Sequence, residues 1–219
     1  LRSAWEDPDA VFVGFKGGSN KANHSHLDLG TFVLDALGQR WALDLGSDDY
    51  DLPGYFGKER FTYYRLKTEG HNTLCINGKN QAEDARARII AFGSQPARAF
   101  AVADLSAGYG GSARRALRGI VLLDRKHVLV QDEIEANAPA EIVWTMHTRA
   151  EAKLASDVAD LTLGDVHLRA RILSPAGATF EVASAAQLPP QNPNKGVRKL
   201  VIRLPVKAGS TRIAVLLSP

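Results

Sequence analysis

Hydrophobic and polar positions alternate along most of the chain, and helical periodicity is scarce. The alternation predicts strands over 10–15, 31–36 and 40–44, with Leu37-Gly38-Gln39 joining the last two as a hairpin. Residues 73–76 run into Asn77-Gly78, the strongest short hairpin signal in the sequence. Strands 118–123 and 127–132 flank the polar link Asp124-Arg125-Lys126 and form a further hairpin. More strands are expected over 89–92, 97–104, 141–148, 160–163, 166–172, 179–183, 199–204 and 212–217. Turn residues separate them at short intervals, as in Gly108-Tyr109-Gly110-Gly111 and Pro189-Pro190-Gln191-Asn192-Pro193. The helices of roughly 10–15 residues that a βαβ fold places between strands are missing. The expected fold is therefore all-β, an antiparallel multi-stranded β-sandwich of the supersandwich kind. No linker divides the chain, so 1–219 is read as a single β-sandwich domain. Residues 46–70 break the pattern. They are polar, aromatic and turn-rich, and a long loop with aromatics in a fold of short turns is usually functional.

Composition narrows the class. With 45% hydrophobic residues the chain can bury a core, and no apolar run is long enough to span a membrane. The single cysteine, Cys75, excludes an internal disulfide framework and a cysteine zinc finger, and its apolar neighbours make it a buried structural thiol. The net charge is +3. Residues 1–80 carry 9 basic and 11 acidic side chains, and residues 81–219 carry 18 and 13. So mild an excess does not call for nucleic acid or a membrane as partner. The cluster Arg114, Arg115 and Arg118 reads as a solvated strand face. The chain begins at Leu1 without a signal-peptide pattern and reads as a fragment or a processed product.

The chemistry is concentrated near the start. Asn23-His24-Ser25-His26-Leu27-Asp28 holds an HxHxD pattern, which on a straight strand projects two imidazoles and a carboxylate from one face. A metal site or an acid–base site uses such a group. Asp44 follows 18 residues after His26, and His71 follows 27 residues after Asp44. A His–Asp–His set plus water suits zinc, which takes nitrogen and oxygen donors at about 2.0–2.2 Å. If His26 lay on a continuous strand with the 31–36 segment, it would sit about 20 Å from Asp44, at ~3.3 Å per residue. A shared ion therefore requires residues 26–30 to fold back as a turn. Asp28 suits that turn through a side-chain-to-backbone hydrogen bond, and Gly30 through its permissive backbone. His127, His147 and His167 have no evident partners.

The run His24-Ser25-His26-Leu27-Asp28-Leu29-Gly30-Thr31-Phe32, then Gly38-Gln39-Arg40-Trp41-Ala42-Leu43-Asp44-Leu45-Gly46 with Tyr50, then Tyr63-Tyr64-Arg65 and Gly70-His71-Asn72-Thr73-Leu74 with Gly78 and Gln81, resembles the β-sheet domain of heparinase II/III-like polysaccharide lyases. These motifs cover residues 10–82. The resemblance implies an enzyme that joins an N-terminal α/α-toroid to a C-terminal β-sandwich and works in the cleft between them. It implies β-elimination from an acidic, uronic-acid-containing polysaccharide, with heparin, heparan sulfate and alginate among the candidates. It further implies one mainly structural zinc ion, held by the residues that fall on His26, Asp44 and His71, with His24 facing the substrate. A tyrosine of the following loop lines the cleft, with Tyr55 the first choice and Tyr50 the second. Arg65 is read first as an internal salt-bridge partner, and it is also the candidate partner of a substrate carboxylate. Twenty-three residues before His24 cannot make a toroid. The chain is accordingly expected to be the C-terminal part of a larger lyase, periplasmic or secreted, and nearly inactive in isolation. The alternatives are a non-catalytic carbohydrate-binding β-sandwich module and a zinc hydrolase.

Overall fold

The computed structural model describes residues 1–219. Its strands run in chain order as β1 (Phe12–Phe15), β2 (Gly18–Ser19), β3 (Phe32–Ala36), β4 (Gln39–Ala42), β5 (Leu74–Ile76), β6 (Arg86–Gln95), β7 (Arg98–Asp104) and β8 (Ala113–Leu123). They continue as β9 (His127–Ala136), β10 (Ala140–Thr148), β11 (Glu151–Ala155), β12 (Val158–Leu163), β13 (Val166–Ser174), β14 (Glu181–Ser184), β15 (Arg198–Val206) and β16 (Gly209–Ser218). The only helical pieces are one short turn, α1 (Ser106–Tyr109), and two 3-10 turns at Arg60–Thr62 and Thr68–Gly70.

The strands form three antiparallel sheets, ordered β1-β3-β4, β14-β15-β10-β5 and β11-β12-β13-β16-β9-β8-β7-β6-β2. Along β9 every second residue is buried and the others are not, so the long sheet has one wet face and one dry face. The dry face packs on the other sheets. One cluster of 40 buried apolar residues includes Ile120, Val130 and Val215 from the long sheet, Leu74, Trp144 and Ile202 from the four-stranded sheet, and Phe32 and Trp41 from the small one. This is the β-sandwich that the alternation implies.

Two strands had no visible pattern. β2 is two residues long, and β11 is an edge strand exposed on nearly every residue, so neither alternates. The hairpin links are turns, at 37–38 rather than 37–39 and at 124–126, with Leu37, Asp124 and Arg125 at positive φ. Asn77 and Gly78 also take positive φ, as their turn chemistry demands. Only one isolated bridge, Ile76 to Lys79, follows that turn, because β5 pairs with β10 instead.

Arg118 is not on a solvated face. It lies directly opposite Asp132 across β8 and β9, and both side chains are fully buried. Its Nε and Nη2 donate to the two carboxylate oxygens at 2.7 and 2.9 Å. Its Nη1 donates to the carbonyls of Gly30 (2.9 Å) and Asn72 (2.7 Å), which belong to loops outside the long sheet. Arg114 and Arg115 remain on the surface, near Glu135 and Glu133. Removing one partner of a buried pair strands the other charge, so Arg118→Met is expected to cost about 3–5 kcal/mol in urea denaturation. The double variant Arg118→Met/Asp132→Leu should recover part of that loss and remain below the parent, because two carbonyls still lack their donor. A single variant within about 1 kcal/mol of the parent would contradict this role.

Candidate active and metal site

Residues 26–31 do fold back. The Thr31 N–H donates to the Asp28 carbonyl, and the Gly30 N–H to the Lys16 carbonyl. Gly30 sits at φ +78°, where a Cβ would also come within 2.5 Å of Leu105. The turn is tied to the 70–73 segment from several sides. Thr73 Oγ1 donates to the Leu29 carbonyl, and the Thr31 hydroxyl accepts the Asn72 N–H. The Gln81 amide brackets Leu29, accepting its N–H at 2.9 Å and donating to its carbonyl at 2.8 Å. His71 follows the 3-10 turn Thr68–Gly70. There Gly70 is indispensable, because a Cβ would lie 1.9 Å from the Tyr64 carbonyl. Glu69 in that turn is held by Lys67 (2.8 Å) and Lys199 (2.9 Å). Burial works to raise its carboxyl, but these hydrogen bonds prevail and lower it to about 2.

The result brings the His26 and His71 rings to 5.2 Å between centroids. The donor atoms of His26, His71 and Asp28 lie within 4.8 Å of one another. The carboxylate in that group is Asp28, not the expected Asp44. The tight turn swings Asp28 toward the imidazoles, and its side chain bonds Lys16 Nζ at 2.6 and 2.7 Å instead of capping the turn's backbone. Asp44 stands beside the group, with Oδ2 3.8 Å from His71 Nδ1 and Oδ1 accepting the Gly46 N–H at 2.7 Å. His71 is buried, and neither of its ring nitrogens has a hydrogen-bond partner. Orphaned nitrogens in a dry site are costly unless something binds them. Two imidazoles with one or two carboxylates are a donor set that zinc accepts, and the residues fit such an ion.

Electrostatics point the same way. Burial, reinforced by the neighbouring His71, lowers His26 to about 4. Burial also lowers His71, against the pull of Asp44. Both rings are thus neutral near pH 7, which is the form that binds metal.

Asn72 organises this floor. Its Nδ2 donates to the carbonyls of Phe32 and Leu43 at 2.8 Å each. Its Oδ1 accepts the His147 N–H at 2.6 Å and faces His147 Nδ1 at 3.1 Å. Because Oδ1 only accepts, His147 carries its proton on Nδ1, and Nε2 accepts from the Tyr64 hydroxyl at 2.7 Å. His147 is therefore a satisfied core histidine, lowered to about 3 chiefly by burial. The Leu43 N–H closes the loop by donating to the His147 carbonyl. Asp44 is thereby fixed to the same residue that follows His71.

His24 stands on a different surface. Its backbone is in the left-handed region (φ +57°), which is strained for a non-glycine residue. Its ring stacks on Tyr50 at 6.2 Å and meets the edge of Phe56 at 5.9 Å. Tyr50 is 51% exposed and Phe56 62%. Of the two candidate tyrosines, Tyr55 is the one that turns inward. It is 2% exposed, packs with Leu52 and Leu66, and its hydroxyl accepts the Asp48 N–H. Burial raises its pKa. Arg60 had not stood out in the sequence, yet it clamps the two halves together. It donates to the Ser25 carbonyl at 2.8 Å and lies over the Tyr55 and Phe56 rings. Arg65 makes no salt bridge. It donates to Asn194 Oδ1 and to the Ser47 carbonyl, both at 2.8 Å.

The model of the heparinase II/III-like C-terminal family matches residues 4–216. The chain belongs to that family. Among solved structures, the heparan sulfate lyase HepC from Pedobacter heparinus superposes with a TM-score of 0.81 at 18% identity, over 100% of this chain and 34% of its own. A heparinase III structure gives a TM-score of 0.81 at 18% identity, over 100% of this chain and 35% of its own. At such identity the likeness is one of fold. This heparinase II/III-like chain spans about a third of the length of those structures. No curated protein matches its sequence. No helix is long and apolar enough to cross a membrane.

The buried histidines give the protein without a bound metal a pH dependence. His71 and His147 stay neutral in the folded chain, while the unfolded chain takes up protons below about 6.5. Stability is thus present above that value and falls as pH drops toward 4. The loss is on the order of 2 kcal/mol per buried histidine two pH units below 6.5. Thermal melts from about pH 7 to pH 4.5 should show a falling midpoint. A flat midpoint would contradict these assignments.

Proposed function

We propose that this chain is the β-sandwich part of a polysaccharide lyase that cleaves a uronic-acid-containing polysaccharide by β-elimination, together with an N-terminal α/α-toroid. The observation that carries the reading is His24, strained and presented on an exposed aromatic surface two residues from the His26–His71 pair. Family membership and the match to about a third of a heparan sulfate lyase and of a heparinase III support it.

β-Elimination removes the weakly acidic C5 proton of a uronate and expels the oxygen on C4. Charge develops on the adjacent carboxylate, so donors aimed there lower the barrier. No hydrogen bond occupies the His24 imidazole, which leaves it free to take a proton or to clamp that carboxylate. Tyr50 stacks on it and can return a proton to the leaving oxygen. Tyr55 supports the loop from beneath. A zinc ion would be held by His26, His71 and Asp44, since Lys16 already neutralises Asp28. Bound there, it would supply charge that pins three segments and so fixes His24. Acidic polysaccharides lie outside the cytoplasm, which favours a periplasmic or secreted protein.

The Tyr50, Phe56 and His24 surface also supports a second reading, a sugar-stacking binding module without catalysis. Products separate the two. A protein carrying both toroid and sandwich should release unsaturated ends that absorb in the ultraviolet from heparan sulfate or alginate, and residues 1–219 alone should release almost none. In the longer protein His24→Ala should lower kcat by about 10²–10⁴. Tyr50→Phe should lower it as well, and Tyr55→Phe should leave it nearly unchanged. Binding without unsaturated products would favour the module. Full turnover by residues 1–219 alone would overturn the two-part reading.

A further inference from the structure

A cleft of about 500 Å³ opens beside Asp44, on loops that meet from three parts of the chain. Arg65 comes from the end of the aromatic loop, Arg149 from the turn after β10, and Lys195 from the segment before β15. None of the three has a carboxylate within ion-pair distance. Arg65 spends Nε and Nη1 on neutral acceptors, and Arg149 donates Nη1 to the Lys195 carbonyl at 3.0 Å. That leaves Nη2 of Arg65, Nε and Nη2 of Arg149 and the whole Lys195 ammonium without protein partners.

The arrangement is built, not incidental. Asn194 is buried and accepts from Arg65 while donating its Nδ2 to the Ala185 carbonyl at 2.9 Å. Its N–H donates to Asn192 Oδ1 at 3.0 Å, and the Asn192 N–H donates to the buried carboxylate of Asp48. Arg65 is thereby fixed before any ligand arrives. The acidic groups nearby are already engaged. Asp48 is spent on backbone N–H groups, and Asp44 turns one oxygen to Gly46 and the other to His71. The cleft thus holds three cations against one facing carboxylate, and Arg149, whose parallel Nε–H and Nη2–H are both spare, matches a planar or tetrahedral oxyanion.

We infer that the cleft lined by Arg65, Arg149 and Lys195 is an anion subsite that holds a carboxylate or sulfate of an acidic glycan. It rests on the reading of this chain as a glycan lyase and adds to it residues outside the histidine cluster. A glycan anchored here by its charge would be held by a wall contiguous with Asp44.

Calorimetric titration of the 219-residue protein tests this. The probes are a sulfated heparan oligosaccharide, its chemically desulfated counterpart, an unsulfated oligouronate and a neutral oligosaccharide. Arg149→Ala and Lys195→Ala should each weaken binding of the acidic probes about tenfold with an unchanged melting temperature, as expected for a lost charge-assisted hydrogen bond. Arg149→Lys should keep part of the affinity. Loss confined to the sulfated probe identifies sulfate as the occupant, and equal loss on the unsulfated uronans identifies carboxylate. The subsite is overturned if the Arg149→Ala/Lys195→Ala protein binds acidic probes as tightly as the parent, or if affinity for the neutral probe falls equally. In that event His24→Ala still weakens binding if the lyase reading holds. If the parent protein binds no acidic probe, the subsite is overturned, and the lyase reading then stands or falls on unsaturated ends released by the longer protein.

Discussion

The side-chain amide of Asn72 is shared among three segments that must meet for the histidine pair to exist. It holds the carbonyls of Phe32 and Leu43 and accepts from His147, while the backbone carbonyl of Asn72 accepts from Arg118. Each bond alone is worth about 1 kcal/mol net. In a dry interior the cost of breaking one is larger, because the partner is left unsatisfied. That asymmetry makes the arrangement close to all-or-none. His71 precedes Asn72, Asp44 follows Leu43, and the turn bearing His26 is roped to the same place through Thr31, Leu29 and Gly30.

The long sheet takes part through one ion pair. Arg118 reaches out of the sandwich core, where Asp132 neutralises it, and delivers its remaining N–H groups to two loop carbonyls. Packing energy from the 40-residue core is thereby transmitted to a polar site that has little apolar surface of its own. The site can then hold features that would otherwise relax. These are two neutral imidazoles, of which the buried His71 has both ring nitrogens unfilled, and a histidine in the left-handed region above an aromatic surface. Strain and unmet polar groups gathered in one place are what a binding or catalytic site looks like in an otherwise consistent fold.

Much of this was legible in the sequence, for identifiable reasons. Alternation over 118–123 and 127–132 gave a hairpin whose link, 124–126, already sets the register. Counting outward from that link pairs Arg118 with Asp132, so the buried ion pair was available from the sequence. The proximity of Arg114 and Arg115 disguised it as a surface cluster. A shared ion required residues 26–30 to fold back, and Asp28 and Gly30 suited that turn. These features did not reveal that Asp28 would join the imidazoles and Asp44 stand beside them, because both carboxylates are near in space and only side-chain direction separates them. Tyr50 and Tyr55 are five residues apart in a loop without periodicity, so no pattern says which one turns inward. Asn72, His147 and Arg60 act through contacts with residues distant in the chain, for which one sequence carries no local mark.

In the proposed function, three chain segments converge on one divalent ion through imidazole and carboxylate donors. X-ray absorption at the zinc edge, on protein loaded with zinc and then dialysed, tests it most directly. The account predicts one tightly held ion per chain, with two histidine nitrogens and carboxylate oxygen at about 2.0–2.2 Å. A shell of water oxygens alone, or zinc that washes out freely, would contradict it.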